Sequence, residues 1–459
     1  MNIHFIAIGG SVMHNLAIAL QGQGHSVSGS DDHIFDPSRS RLAAAGLLPE
    51  AMGWFPSRLH AQLDAVILGM HAKADNPELL EAQRLGLPVY SYPEFVYRHA
   101  QNKQRVVIAG SHGKTTVTSM VVHVLHAAGR RFDYVLGAVP KGLDATVRLS
   151  DDAPVIVIEG DEYPTSPLDP TPKFLHYRHH IGVVTGIAWD HYNAYPTNES
   201  YTEQFVKFVE ATPKAGTLAY CSADRALDKL VKQAKLRHDV AKMPYEAHKN
   251  RVKDGVTAVP GEIKDWVPLR IFGDHNMMNL SAALAVCQKL GIMKEDFYRA
   301  IATFEGAPLR LQRLAQSADG SVVFRDFAHA PSKALATVEA VSKQYPKHRL
   351  LACFELHTYS SLNKAFIGAY RNALHKADVA AVFYNPETAS RKGLAAMAAA
   401  DIRAAFNRKD LQVISGAQEL EQFLAAEARR LGAPKTVLLM SSGDFGGMDV
   451  AGVAAGLLG

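Results

Sequence analysis

The segment that most restricts this chain is Val106-Val107-Ile108-Ala109-Gly110-Ser111-His112-Gly113-Lys114-Thr115-Thr116, an apolar run that ends in a glycine-punctuated turn. β-Branched residues followed by glycines predict a buried strand entering a tight loop. A helix is expected at once, because Val117, Met120, Val121, Val124 and Leu125 recur at the spacing of one helical face before Gly129. Strand, loop and helix in this order specify an open α/β sheet with an anion site at the helix start. The glycines let backbone N–H groups turn inward around phosphate oxygens, Lys114 supplies a cation for the β- and γ-phosphates, and the Thr115 hydroxyl suits Mg2+. Gly110, Ser111, His112, Gly113, Lys114, Thr115 and Thr116 are therefore the expected ATP-binding segment. The usual spacing is altered, since the residue five before Gly113 is Ile108 and only Gly110 opens the loop.

Two downstream segments carry the chemistry that a triphosphate needs. Strand-like Val155 to Ile158 delivers Glu159-Gly160-Asp161-Glu162-Tyr163 at its C-terminal end, where open α/β sheets bind ligands. Gly182 to Thr185 similarly leads into Trp189-Asp190-His191. Glu159 and His191 are the expected Mg2+ residues together with Thr115, because Mg2+ takes few protein ligands and completes its shell with phosphate and water. Each has a plainer alternative, as strand-end acids cap helices and a lone histidine is more often a hydrogen-bonded structural residue. The nearby His176, His179 and His180 precede a strand among Tyr177 and Arg178, without a neighbouring acid or cysteine, and read as structural.

Length bounds the organisation: 459 residues at roughly 150 per domain give about three domains. Short apolar runs alternate with helix-length segments from Ile3 to about Pro93, from Arg105 to about Arg310, and again from Ser321, where Ser321 to Arg325, Leu350 to Phe354, Val379 to Tyr384 and Thr436 to Met440 read as strands. Helices are expected at Ala282 to Leu290, Ser361 to Leu374 and Leu420 to Arg430. The stretch from Tyr245 to Phe272 reads as β-rich, with turns at Lys253-Asp254-Gly255 and Pro260-Gly261. The expected fold is thus three α/β domains: a Rossmann-like domain over 1–98, a central P-loop ATPase-like domain over 99–312 and a Rossmann-like domain over 313–459, with ligands in the clefts between them. A net charge of +4, spread without a long basic run, is too weak and diffuse to imply a nucleic-acid surface, and no nucleic-acid partner is expected. The three distant cysteines, Cys221, Cys287 and Cys353, point to a reducing compartment. The opening strand-like Asn2-Ile3-His4-Phe5 has no leader pattern, and no apolar run reaches about eighteen residues, so a cytoplasmic protein without a membrane partner is expected. Oligomeric state leaves no signal in the sequence.

These pieces, in this order and across essentially the whole chain, resemble the Mur ligase family of ATP-dependent, amide-forming enzymes of peptidoglycan metabolism. The family's G-[ST]-H-G-K-T-T loop stands here as Gly110 to Thr116, its E-x-D-E acids as Glu159, Asp161 and Glu162, and its D-H pair as Asp190-His191. G-x-H-N-x-x-N follows as Gly273 to Asn279, F-x-G-x-x-x-R as Phe304 to Arg310, and D-[FY]-[AG]-H-x-P-[ST] as Asp326 to Ser332. The resemblance implies adenine contacts at His275, Asn276 and Asn279, a γ-phosphate contact at Arg310 and a ribose contact at Asp326. A planar guanidinium suits a phosphoryl group with charge on several oxygens. Lys114, Glu159, His191 and Arg310 are the implied catalytic residues.

The opening strand and turn resemble the UDP-binding fingerprint of the branch that uses UDP-N-acetylmuramate, implying contacts from Gly9, Gly10, Ser11 and Met13 and from Ser30 and Asp31. The copy is degraded, with Ala7 and Val12 in place of the first and last glycines. Within that branch, Glu162-Tyr163, Lys173 to Tyr177 and Met440 to Gly447 are similar to the murein-tripeptide-adding recycling ligases rather than to the L-alanine-adding ligases. The incoming peptide would then meet His329, His357, Asn363, Ser442 and Asp444. One departure stands out: where recycling ligases carry P-R-S-N, this chain has Leu356-His357-Thr358-Tyr359, which replaces a permanent cation by a titratable group. The implied reaction passes through an acyl phosphate, with ATP, Mg2+, UDP-N-acetylmuramate and the murein tripeptide as cofactors and partners. Alternatives are L-alanine addition and a silent ATP-binding sensor. Lys207 is the nearest candidate for a carbamylated lysine found in some relatives, and this branch usually lacks that feature.

Overall fold

The computed structural model describes residues 1–458 except 141, 167, 192–193, 254 and 262–264; Asp254 of the expected 253–255 turn lies outside the described residues. The chain forms two compact units: one of residues 1–189, 196–246 and 279–300, the other of 190–195, 247–278 and 301–458.

The first unit holds two large sheets and a two-stranded hairpin. β1 (Asn2–Ile6), β2 (Ser26–Ser30), β3 (Ala65–Leu68) and β4 (Val89–Ser91) form an all-parallel sheet in the order β2-β1-β3-β4. The second has seven strands: β5 (Gln104–Ala109), β6 (Asp133–Val135), β7 (Val147–Arg148) and β8 (Val155–Glu159), then, after a hairpin of β9 (Pro164–Ser166) and β10 (Asp169–Pro172), β11 (Ile181–Val184), β12 (Thr217–Cys221) and β13 (Ala241–Tyr245). Their order is β13-β12-β11-β5-β8-β6-β7. β5 is central because Val106 to Ala109 are wholly buried and paired on both sides, to β11 and β8. Parallel strands covered on both faces require such a continuous apolar run. The predicted stripe Val117, Met120, Val121, Val124 and Leu125 is buried on the Lys114–Ala127 helix.

In the second unit, the β-rich stretch is an antiparallel sheet of β14 (Arg251–Lys253), β15 (Val256–Pro260) and β16 (Trp266–Leu269). The larger sheet comprises β17 (Gln312–Gln316), β18 (Val322–Asp326), β19 (Arg349–Leu356), β20 (Val379–Tyr384), β21 (Gln412–Ile414) and β22 (Lys435–Met440), in the order β17-β18-β22-β19-β20-β21. Only β17 runs antiparallel to its neighbour. Alternate strand residues feed two cores, one around Phe354, Tyr370 and Phe406 and one around Leu351, Leu424 and Phe445. The helix expected over Ser361 to Leu374 is absent. Turns and a short 3₁₀ helix, Ile367–Tyr370, take its place. Two local features explain this: the Asn363 side chain accepts the Ala365 N–H at 2.9 Å, and Asn372 adopts φ 64°. Asparagine competes for backbone donors and tolerates the left-handed region, so it breaks a helical pattern that apolar spacing alone suggests.

Candidate active site

The loop after β5 follows from its glycines. Gly110 (φ +128°) and Gly113 (φ +81°) both lie in the left-handed region, and Gly113 caps the Lys114–Ala127 helix. A Cβ at Gly110 would collide with Thr185, and one at Gly113 with the Asn279 side chain. The implied adenine-segment residue Asn279 therefore packs on the phosphate loop. Lys114 Nζ reaches the Gly110 carbonyl at 2.5 Å and Glu162 Oε2 at 2.7 Å. Glu162 is fully buried, and the Tyr201 hydroxyl donates to its other oxygen at 3.1 Å. Burial alone would lower the Lys114 pKa; the carboxylates of Glu162, Asp161 and Glu159 outweigh it and raise it, so the ammonium stays charged. Asp161 is engaged by Lys173 at 2.5 Å.

Thr115 Oγ1 donates to Glu159 Oε1 at 2.8 Å, and the Gly137 N–H donates to Oε2 at 2.9 Å. A Cβ at Gly137 would meet that carboxylate at 2.8 Å. This is a hard oxygen pair, hydroxyl plus carboxylate, of the kind Mg2+ prefers. The Ser111 hydroxyl is buried without a partner on the same loop, a donor in place for an anionic oxygen. Both observations fit a Mg2+–triphosphate group. Among the histidines read as structural, His179 stacks on Phe208 at 4.2 Å and burial drives its pKa down to about 3. His180 accepts the Arg105 N–H, and His176 faces Asp169 at 2.8 Å, an acid seven positions earlier that corrects the expectation of no neighbouring acid. Lys207 is half-exposed and pairs with Glu203 at 3.0 Å.

The N-terminal turn differs. Ala7 adopts φ 65°, the conformation its missing glycine would take freely, and the Gly9 N–H donates to Asp31 Oδ2 at 2.7 Å. The Ser30 carbonyl accepts from Ala7 and Ile8, and its hydroxyl from Arg58 at 2.8 Å. Ser11 opens the Ser11–Gly22 helix, with Met13 packed under Gly10.

In the second unit, Asp190 sits 3.1 Å from Lys333 Nζ. Burial would raise its pKa, but Lys333, His191 and His329 overrule burial and hold the carboxyl well below the usual range. His191 follows at φ 56°. His329 is driven down to about 3 by burial and by Lys333, hence is neutral near pH 7, and its Nδ1 donates to the Phe327 carbonyl at 3.0 Å. The Arg310 guanidinium lies over the Phe327 ring at 4.9 Å, between the left-handed Leu309 and Leu311. Asp326 accepts from the Leu311 and Ala328 N–H groups, both at 2.7 Å, and from Thr337 at 3.3 Å. Both its oxygens brace the backbone beside Arg310 and His329, so its observed work is structural. Asn276 donates to the Phe272 carbonyl at 2.8 Å, one residue after His275 on the Asp274–Lys289 helix.

At the C-terminal ends of β19 and β22 the loops carrying His357 and Ser442 meet. The buried Glu355 carboxylate accepts from the Ser441 hydroxyl and, at 3.0 Å, from the Phe445 N–H. His357 Nδ1 stands 3.5 Å from Glu355 Oε1. A Cβ at Gly443 would meet His357 Cγ at 2.8 Å. Ser442 Oγ is buried without a partner, whereas Asn363 and Asp444 are used locally, accepting from Ala365 and Gly446. Sequence reasoning assigned no work to Tyr201, Lys333 or Arg325 and none to Glu162 beyond its motif; only buried charge without a sequence-local partner could have flagged Glu162.

The comparisons agree with this architecture. The Mur ligase family catalytic domain matches residues 2–104, the Mur ligase middle domain 108–287, and the Mur ligase glutamate ligase domain 309–443. UDP-N-acetylmuramate--L-alanine ligase of Arthrobacter sp. (strain FB24) is 34% identical over 394 residues, covering 83% of this chain and 80% of that protein. The crystal structure of a murein peptide ligase from Psychrobacter arcticus 273-4 superposes with a TM-score of 0.65 at 23% identity, covering 100% of this chain and 99% of that one. UDP-N-acetylmuramate-alanine ligase from Thermotoga maritima gives 0.70 at 19% identity, covering 97% and 96%. The chain belongs to the Mur ligase family, ATP-dependent ligases that form amide bonds, and has its three α/β domains. Among the described residues no helix is long and apolar enough to cross a membrane.

Proposed function

We propose that this enzyme joins UDP-N-acetylmuramate to the murein tripeptide L-Ala-γ-D-Glu-meso-diaminopimelate, with the domain limits near residues 98 and 312. The observation that carries the reading is the paired loop at β19 and β22, where Glu355, His357 and Ser441 to Gly443 gather a carboxylate, an imidazole and a hydroxyl, polar groups suited to the several charged ends of a tripeptide. The muramyl carboxylate attacks the γ-phosphate of ATP, forming an acyl phosphate and releasing ADP. The peptide amine then displaces phosphate. Lys114 holds a permanent charge for the phosphates, and Arg310, splayed on Phe327, offers a planar fork to the transferring group. Thr115 and Glu159, with His191, would hold Mg2+, which supplies charge neutralisation between carboxylate and triphosphate. His275, Asn276 and Asn279 serve the adenine and Asp326 the ribose; Gly9, Gly10, Ser11, Met13, Ser30 and Asp31 serve the UDP group. Neutral His329, with Asn363, Ser442 and Asp444, completes the peptide side.

The curated relatives favour a second reading, addition of L-alanine, because the Arthrobacter protein bears that name at 34% identity. One assay separates them: ADP release with UDP-N-acetylmuramate plus either amine. Tripeptide-dependent turnover with little response to L-alanine is expected; the opposite pattern replaces the first reading by the second, and ATP binding without turnover on either leaves a sensor.

A further inference from the structure

The larger sheet of the second unit brings to the loop after β22 a cation, Arg325, that no acid among the described residues pairs with. Arg325 is the penultimate residue of β18, paired in register with Leu439 of β22, which in turn pairs with Cys353 of β19. Side chains alternate along strands, so Arg325 and Glu355 occupy the same face, on either side of β22 and at its C-terminal end. The apolar residues below them on that face, Val323, Leu439 and Cys353, are fully buried. The guanidinium rises from this layer to the 441–443 loop. Its Nη2 donates to the Gly443 carbonyl at 3.3 Å, a long contact, and its Nε is buried with no acceptor. One residue before Gly443, the Ser442 hydroxyl is likewise buried and unpartnered. Two orphaned donors converging on one loop, one from β18 and one from the loop itself, are unusual, since nearly all buried polar groups find partners.

The acid on the loop's other side already has its donors. Glu355 is occupied by Ser441 and Phe445, with His357 held over Gly443 by the absence of a Cβ there. What remains open is a fork of N–H donors with positive charge plus a hydroxyl, which matches a carboxylate approached side-on. Strand C-termini are where ligands of such sheets dock.

We propose that Arg325 and Ser442 form the subsite that binds a carboxylate of the incoming amine substrate. The inference rests on the ligase reading above and deepens it.

The test compares the wild-type enzyme with Arg325→Met, Arg325→Lys and Ser442→Ala. The substrates are the tripeptide, L-alanine, and the carboxamide counterpart of each. Arg325→Met should raise the KM of the accepted acid by roughly 10- to 100-fold, the span of a lost charge-assisted hydrogen bond, with Arg325→Lys and Ser442→Ala in between. KM for ATP should stay within about twofold, and the carboxamide should be handled equally by wild type and Arg325→Met. Which acid shows the effect identifies the source of the carboxylate. An Arg325→Met enzyme with unchanged KM for the acid, or equal losses on acid and carboxamide, overturns the subsite while leaving the ligase reading intact. Absence of ADP release by the wild type with either amine overturns the ligase reading instead. The subsite is then decided by melting temperature with tripeptide or L-alanine alone: protection of wild type and not of Arg325→Met supports it, and any other pattern ends it.

Discussion

Two glycine turns in the first unit follow buried parallel strands and lead into helices, yet they are finished in opposite ways. The turn after β1 is closed upon itself: Asp31 takes the Gly9 N–H, the Ser30 carbonyl takes two more, and Ala7 is held at φ 65°. The loop after β5 is left open, with the Ser111 hydroxyl unpartnered and the charged Lys114 parked on Glu162 and Gly110. The Asp31 carboxylate braces the first turn through the Gly9 N–H at 2.7 Å, whereas the second keeps a charged ammonium beside the buried Glu162 and an unpartnered hydroxyl at Ser111. The same strand-turn-helix grammar therefore yields an acid-braced turn in one case and a cation-bearing loop in the other, and the difference lies in which acid or cation the fold brings beside it.

The largest effect that tests this contrast should come from Lys114. Lys114→Ala alone would strand the buried Glu162 carboxylate, so it is best combined with Glu162→Gln. The double variant should keep its far-UV circular dichroism and lose ADP formation by about 10²- to 10³-fold or more. Near-normal turnover would remove the second turn from phosphate chemistry. Next in size, Glu159→Ala should raise the Mg2+ concentration for half-maximal rate by about 10- to 100-fold, as removal of a metal-shell group does elsewhere. An unaltered Mg2+ titration would reduce Glu159 to a partner of Thr115 and Gly137.

The bracing of the first turn is read in stability. Ala7→Gly relieves a left-handed alanine and should stabilise the fold by about 1 kcal/mol in urea unfolding; a destabilised variant would show that the Ala7 methyl, buried in the first-sheet core, outweighs its strain. The smallest effect concerns Asp31. Desolvation, with help from Asp32, raises its pKa in the fold despite the Gly9 hydrogen bond. An acid whose folded pKa is raised binds its proton more tightly when folded, so its contribution is most favourable below the ordinary aspartate value and declines as pH rises through the folded one. Asp31→Asn should flatten that decline, by less than about 1 kcal/mol above it. A pH–stability profile that superposes on wild type would show that Asp31 titrates alike in both states.

Much of this was legible in the chain. The run Val106 to Ala109 and the stripe from Val117 to Leu125 announced their strand and helix, because a two-sided parallel sheet and a buried helix face each leave a period that composition cannot imitate. The Gly110 and Gly113 turns were equally plain, since only glycine takes those φ values without strain. The helix expected over 361–374 failed because Asn363 and Asn372 satisfy the backbone locally, an effect that apolar spacing does not record. Asp326 shows the reverse case: its motif is visible in sequence, but that both its oxygens are used by Leu311 and Ala328 is not.

The sequence alone determined the strand, turn and helix around Gly110 to Thr116, for local propensity and periodicity act over a few neighbouring residues. Tertiary structure alone decided the partners. Lys114 meets Glu162 from 48 positions away, Asp190 meets Lys333 from 143, and Arg325 reaches the loop at Gly443 from 118. A buried charge is answered by whatever the packed strands bring within about 3 Å, and strand order in a crossed-over sheet is a property of the whole fold rather than of any window along the chain.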